Sequence, residues 1–97
     1  FAQVTPEADF QVRHNLADAA LVELFLWDED TFLRKTEGSA IRRIGHERWL
    51  RNLAVGLGNG PASAAAIAAL ESRLAHPSVL VREHVEWALE RLLGRVV

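Results

Sequence analysis

Apolar residues recur at three- and four-residue steps along most of this chain, and this spacing limits what it can fold into. No run long enough to form a reliable strand alternates apolar and polar residues with a period of two. Glycine, proline and serine interrupt the helical spacing at intervals and divide it into separate helices. The sequence therefore predicts an all-α protein of about five helices.

The first predicted helix runs from about Leu16 to Leu26 and follows an irregular first segment, residues 1–15. Asp28 is a suitable N-cap for a short second helix, because its carboxylate can accept a bond from an unpaired backbone N–H. The two acids that follow it favour the positive end of the helix, so we interpret this acidic triplet as a cap. Gly38 ends the second helix and opens a connection to the third.

The last three predicted helices carry apolar faces. The third buries Leu50, Leu53, Ala54 and Leu57. Pro61 suits the first turn of a fourth, alanine-rich helix that reaches about Leu74. Ser78 is the predicted cap of the last helix, which runs to about Leu93 and buries Val81, Val85, Ala88, Leu89 and Leu92.

An internal repeat lies within this pattern. Residues 51–58 align with residues 82–89, with arginine over arginine and apolar residues at the third and sixth positions after it. Helical pairs that repeat at such a period bury their apolar faces by stacking on their neighbours. We therefore predict a HEAT-like α-α superhelix that forms one domain over residues 1–97.

The 97 residues contain neither cysteine nor methionine. Without a thiolate, the chain can form no disulfide, no cysteine-held iron–sulfur cluster and no cysteine nucleophile. Because it begins at Phe1 with no initiator, we expect it to be a fragment of a longer polypeptide. It contains no apolar run long enough to span a membrane and no visible secretion signal, so we expect a cytoplasmic protein with no membrane partner.

The net charge of −2 hides an uneven distribution. Residues 1–33 carry seven acids against one arginine, residues 34–52 carry six bases against two acids, and residues 53–97 carry four of each. Guanidinium groups bind phosphate oxygens bidentately, so a basic centre of this kind can hold a nucleic-acid backbone. The candidate nucleic-acid-binding side chains are Lys35, Arg42, Arg43, Arg48 and Arg51. A solvated face with no ligand is the alternative interpretation of the same residues.

The sequence shows no catalytic arrangement and no metal-binding spacing. Two ligands on one helical face require a spacing of four, which is absent among the four histidines, His14, His46, His76 and His84. His46 lies on the apolar side of its helix and is expected to be a hydrogen-bonded packing residue, as is His84. The tryptophans are expected to pack between helices rather than to stack on bases, and they are Trp27, Trp49 and Trp87.

Six elements are specific in combination, although each is weak alone. They are Phe1-Ala2, Phe32, residues 38–43 (Gly-Ser-Ala-Ile-Arg-Arg), Arg51-Asn52, Gly58-Asn59 and residues 81–89 (Val-Arg-Glu-His-Val-Glu-Trp-Ala-Leu). Together they resemble the carboxy-terminal end of the epoxyqueuosine reductases, which are bacterial tRNA-modifying enzymes. The resemblance implies a HEAT-like tail that helps to hold the tRNA anticodon stem-loop, with Arg42, Arg43 and Arg51 as its motif arginines.

In that family, a cobalamin-binding region and a ferredoxin-like module with two [4Fe–4S] clusters precede this tail. The resemblance implies that both lie upstream of Phe1, and that the parent enzyme reduces epoxyqueuosine to queuosine at the wobble position. It carries no catalytic residue or cofactor ligand onto this sequence, so the fragment itself is expected to be inert. Two alternatives remain open, a HEAT-like protein-interaction scaffold and, less favoured, a small HEAT-type enzyme acting on DNA bases.

Overall fold

The computed structural model describes the backbone of residues 14–96 and the side chains of residues 18–94. Within these bounds the chain forms five α-helices and one 3₁₀ helix, with no strand. The α-helices are α1 (His14–Phe25), α2 (Glu29–Lys35), α3 (Gly45–Gly58), α4 (Ala64–Glu71) and α5 (Val79–Val96). The 3₁₀ helix (Ala40–Ile44) lies between α2 and α3. The prediction of an all-α chain is confirmed.

Side-chain caps fix the start of three α-helices. The Asp28 carboxylate accepts a 2.8 Å bond from the Thr31 backbone N–H, as predicted, and this bond lowers the pKa of Asp28 below its usual range. The Ser78 hydroxyl accepts from the Val81 N–H at 3.2 Å and starts α5, also as predicted. In α4 the cap is Ser63, whose hydroxyl accepts from the Ala66 N–H at 3.1 Å.

The predicted bounds of the first and fourth helices are wrong. The first helix already includes His14 and Asn15, which the sequence assigned to the irregular first segment, whereas residues 1–13 lie outside the described residues. The fourth helix does not start at Pro61 but three residues later. The Ser63 hydroxyl accepts a bond from the Ala66 N–H in the first turn, whereas a proline side chain has no acceptor for such a bond. It also ends at Glu71 and is followed by a turn.

The core lies between α1, α3, α4 and α5. Every residue predicted to be buried on α3 and α5 is buried, and Phe25 of α1 joins them. The most extensive contact is between α3 and α5, whose backbones approach closely at Gly58. A Cβ atom added to Gly58 would lie 2.7 Å from Trp87 Cζ3 and 3.0 Å from the Ala88 Cα. The helix crossing therefore depends on the absence of a side chain at this position.

Small side chains bring α4 against the core on one face only. Ala66, Ala69 and Leu70 are buried, whereas Ala64, Ala65 and Ala68 face solvent. Ser63 also donates to the Asp18 carboxylate at 3.0 Å and so links the start of α4 to α1. This packing gives α4 a stable position although its own apolar face is narrow.

The repeated segments occupy equivalent places in α3 and α5. Ala54 and Leu57 of α3, and their counterparts Val85 and Ala88 of α5, are all fully buried where the two helices meet. The HEAT-like superhelix stays a prediction.

Candidate nucleic-acid interface

The five predicted phosphate-binding residues lie on three successive elements. Lys35 is in the last turn of α2, Arg42 and Arg43 are on the 3₁₀ helix, and Arg48 and Arg51 are on α3. Four of them are exposed, and only Arg51 is half-buried. The predicted separation of a basic side from a core side of α3 is confirmed, since both α3 arginines lie off its buried face.

The exposed cations are available for a ligand. Arg51 donates through Nε to the Asn52 side-chain oxygen at 2.8 Å. The side chains of Lys35, Arg42, Arg43 and Arg48 make no hydrogen bond and no ion pair with any other residue that the structure describes. Because these side chains are exposed, solvent can reach their donors, and a phosphate can take the place of water without breaking a bond between described residues.

Arg42 and Arg43 share one surface depression. Its volume is about 660 Å³, and it is shallow and lined by Gly38, Ser39, Ala40 and the two arginines. The structure therefore brings together two of the five predicted residues. Lys35, Arg48 and Arg51 do not line this depression and can only extend the positive surface around it.

Two glycines and a serine hold the 3₁₀ helix in place. Gly38 and Gly45 have positive φ angles of 79° and 84°, in the left-handed region that glycine adopts without strain. The Ser39 hydroxyl accepts from the Ile41 backbone N–H at 3.1 Å and caps the element. The sequence predicted only a connection here, since five residues are too few to show a helical period.

Exposed isoleucines accompany the two arginines. No residue of the 3₁₀ helix is buried, and Ile41 and Ile44 are 46% and 40% exposed. Sequence reasoning missed them as surface residues, because an apolar residue in an unassigned segment is ordinarily placed in the core. The single spacing of three between Ile41 and Ile44 is too short a pattern to have signalled their exposure.

The remaining arginines that the structure describes in detail have internal partners. Arg73 donates through Nη2 to the backbone carbonyls of Phe25 and Trp27, each at 3.0 Å, and its guanidinium lies 5.7 Å from the Phe25 ring centroid. Burial lowers the pKa of Arg73. Arg82 donates to the His76 carbonyl at 2.6 Å, and Arg91 donates to the Gly58 carbonyl at 3.3 Å. These residues are structural, and none of them was a predicted site residue.

Two of the half-buried histidines bind backbone carbonyls. His46 donates through Nε2 to the Trp27 carbonyl at 2.9 Å and packs on Phe32, whose ring centroid is 5.6 Å away. His84 donates through Nδ1 to the Leu80 carbonyl at 2.8 Å. The predicted hydrogen-bonded role is confirmed for both.

Two of the three tryptophans pack between helices as predicted. Trp27 and Trp49 stack with centroids 5.7 Å apart, and Trp49 Nε1 donates to the Leu24 carbonyl at 3.3 Å. Trp87 differs, because it is 37% exposed and carries the Arg91 guanidinium 5.1 Å from its ring centroid. One edge of Trp87 packs against Gly58, so only part of the ring is available to a partner.

The donor set does not fit the cofactors implied by the resemblance. The sequence contains no cysteine to hold an iron–sulfur cluster. Among residues 18–94, whose side chains the structure describes, no group of three or more histidine and acidic side chains is arranged to hold a metal ion. Over residues 14–96, no helix is both long and apolar enough to cross a membrane.

Three bacterial epoxyqueuosine reductases match nearly the whole chain. The protein of Pseudomonas aeruginosa is 62% identical over 91 residues, which cover 94% of this chain. That of Xanthomonas campestris pv. campestris is 65% identical over 92% of the chain, and that of Escherichia coli is 52% identical over 98%. The chain belongs to the epoxyqueuosine reductase family. It spans only about a quarter of the length of each of these epoxyqueuosine reductases.

No family model and no solved structure matches the chain. Similarity to the epoxyqueuosine reductases therefore rests on sequence identity. Membership confirms the resemblance on which the motif arginines were chosen.

Proposed function

We propose that this chain is the carboxy-terminal, tRNA-binding module of a cytoplasmic epoxyqueuosine reductase. The whole enzyme would reduce epoxyqueuosine to queuosine at the wobble position, and the module would hold the anticodon stem-loop. Its other partners would be the upstream ferredoxin-like and cobalamin-binding regions, which supply two [4Fe–4S] clusters and the cobalamin. The identity of 52–65% to epoxyqueuosine reductases over nearly the whole chain supports this assignment.

One observation carries the binding role. Arg42 and Arg43 line a common depression, and neither guanidinium is paired with another residue that the structure describes. Phosphate contacts from such side chains position an RNA without reading its bases. Arg48, Arg51 and Lys35 would add contacts on either side of the depression. The module would thus contribute affinity and register, and the chemistry would take place on other parts of the enzyme.

Replacement of Arg42 and Arg43 by glutamine in the full-length protein tests this proposal. Each lost phosphate contact reduces the slope of log K against log salt by roughly one, so the double variant should lose about two. We expect affinity for tRNA to fall by roughly tenfold or more at about 0.1 M salt, because bonds to charged groups are among the stronger ones. Fluorescence anisotropy with labelled tRNA over a salt series gives both quantities.

A charge-restoring variant is the matched control. Changing Glu86 and Glu90 of α5 to glutamine in the same protein returns the net charge to its original value without touching the depression. If tRNA binding depends on the local contacts, affinity stays low in the quadruple variant. Recovery of the original affinity, or an unchanged salt slope in the double variant, would contradict the proposal.

A HEAT-like protein-interaction scaffold is the second candidate function. It is favoured by the half-exposed Trp87, which lines a shallow depression of about 360 Å³ with Glu83, Glu86 and Glu90. Tryptophan is enriched at the centres of protein interfaces. Recovery of a stoichiometric protein partner by the full-length protein, together with no measurable affinity for tRNA, would select this function over the first.

A further inference from the structure

The 3₁₀ helix carries an apolar ridge on the surface. Because a 3₁₀ helix has about three residues per turn, side chains at positions i and i+3 lie one above the other. Ile41 and Ile44 have this spacing, and they are 46% and 40% exposed on an element with no buried residue. A single exposed isoleucine is ordinary, but neighbouring apolar side chains that stay partly exposed on one element mark contact surfaces.

The surroundings of this ridge are positive. Arg42 and Arg43 lie between the two isoleucines in the sequence, and Arg48 follows in the first turns of α3. Two acids are close in the sequence. Glu47 accepts a short bond from the Ser78 hydroxyl, whereas Glu37 is exposed in the turn before Gly38. The ridge and its arginines therefore complement a ligand that is anionic and also offers apolar surface.

RNA offers both properties only where it is unpaired. A paired stem presents phosphates and 2′-hydroxyls, while its base faces are stacked inside the helix. An isoleucine has no group that can bond to a phosphate. Its contact with a paired stem would therefore contribute little binding energy beyond the exclusion of water. Unpaired nucleotides expose base faces, which pack favourably on apolar and aromatic side chains.

We infer that Ile41 and Ile44 pack against unpaired nucleotides of the bound RNA, while Arg42 and Arg43 hold the adjoining phosphates. This inference rests on the proposed function and assigns the 3₁₀ helix to the loop of the RNA rather than to its stem. The contact is sequence-tolerant, because every base has an apolar face and the isoleucines form no directional bond.

The test compares two RNAs that carry the same number of phosphates. One is a synthetic stem-loop, and the other is a fully paired duplex. In the full-length protein, Ile41→Ser with Ile44→Ser should weaken binding of the stem-loop by roughly fivefold to tenfold, somewhat less than the loss of an aromatic stacking partner. Binding of the duplex should change by less than about twofold, and the salt slope should stay the same for both RNAs, since no phosphate contact is removed.

Two control variants accompany this pair. Ile41→Val with Ile44→Val keeps an apolar ridge and should retain most of the affinity for the stem-loop. Val79→Ser removes an apolar side chain of α5 that is 56% exposed, outside the ridge, and should have no effect on either RNA. Arg42→Gln with Arg43→Gln should weaken both RNAs and lower both salt slopes.

Each outcome distinguishes the inference from the proposed function. Equal weakening of the stem-loop and the duplex by the serine pair, or no weakening of either, overturns the inference, and the arginine pair still reports on the proposed function. If the serine pair instead lowers the melting temperature of the full-length protein without RNA, and the valine pair does not, the ridge is covered by protein and the inference fails.

Discussion

The arginines of the 3₁₀ helix differ from the arginine that binds the end of α1. Arg42 and Arg43 lie on an element with no buried residue, and their guanidinium groups bond to no other residue that the structure describes. Arg73 donates to the carbonyls of Phe25, the last residue of α1, and of Trp27, two residues beyond it, and its guanidinium lies over the Phe25 ring. The comparison teaches that an arginine's partners, rather than its charge, separate a binding residue from a structural one.

The largest expected effect on stability comes from Arg73. Arg73→Gln removes two bonds from a charged donor. The Phe25 carbonyl loses this partner, whereas the Trp27 carbonyl keeps its bond from His46. The change should cost about 2–3 kcal/mol of the free energy of unfolding. Arg43→Gln is its counterpart on the 3₁₀ helix and should stay within about 0.5 kcal/mol, as exposed substitutions usually do. Urea unfolding of the chain, followed by tryptophan fluorescence, measures both. Similar losses in the two variants would break the comparison.

A smaller effect is expected from the turn that positions the 3₁₀ helix. Gly38 has a φ of 79° and no atom within 4 Å of the place a Cβ would take, so alanine meets conformational strain but no clash. Gly38→Ala should therefore cost about 1 kcal/mol of stability, and Gly38→Asn less, since asparagine tolerates the left-handed region better.

The same urea experiment compares the two Gly38 variants. If asparagine proves no better tolerated than alanine, the positive φ does not determine the geometry of the 3₁₀ helix. In that case the 3₁₀ helix, like the end of α1, would owe its position to side-chain contacts rather than to backbone conformation.

The smallest expected effect concerns pH. Burial, together with the positive charge of Arg73 and His46, lowers the pKa of His76 from its usual 6.5. Its Nδ1 accepts a 3.0 Å bond from the Ser78 N–H and must be unprotonated to do so. The folded chain thus binds protons more weakly than the unfolded chain, so stability is fully present above about pH 6.5 and declines as the pH falls through the lowered pKa.

His76→Gln tests this pH dependence. The variant should show a smaller loss of urea midpoint between about pH 7.5 and about pH 5.5 than the parent chain. The 3₁₀ helix contains no histidine, so its contacts should not contribute to the difference. An identical loss in parent and variant would show that other groups account for the acid sensitivity.

Most of the helical architecture follows from the sequence because it depends on local signals. The buried positions of α3 and α5 repeat with the helical period, and Asp28 and Ser78 cap the helices that follow them. The start of α4 was misplaced, since Pro61 and Ser63 are both good starting residues and the bond from Ser63 to Asp18 depends on α1. That bond joins residues far apart in the sequence and has no local signature.

The candidate site could be predicted only as a set of residues. Charge clustering and motif resemblance pointed to Arg42 and Arg43, but their shared depression depends on the turn at Gly38. The partners of Arg73 lie more than forty residues away in the sequence, so its structural role could not be separated from a binding role in advance. The exposure of Ile41 and Ile44 could not be predicted either, because nothing in the sequence distinguishes an exposed isoleucine from a buried one.

The Trp27 carbonyl oxygen, which accepts bonds from both His46 and Arg73, joins three distant stretches of the chain at one backbone atom. Every amino acid carries such an oxygen, so no genetic substitution at position 27 can delete it. In a mutational scan, loss of these bonds would appear as destabilisation by changes at positions 46 and 73. Changes at Trp27 would instead measure the contribution of the indole that stacks on Trp49. Only chemical synthesis that makes the bond between residues 27 and 28 an ester, whose carbonyl is a weaker acceptor, would probe the junction at its own position.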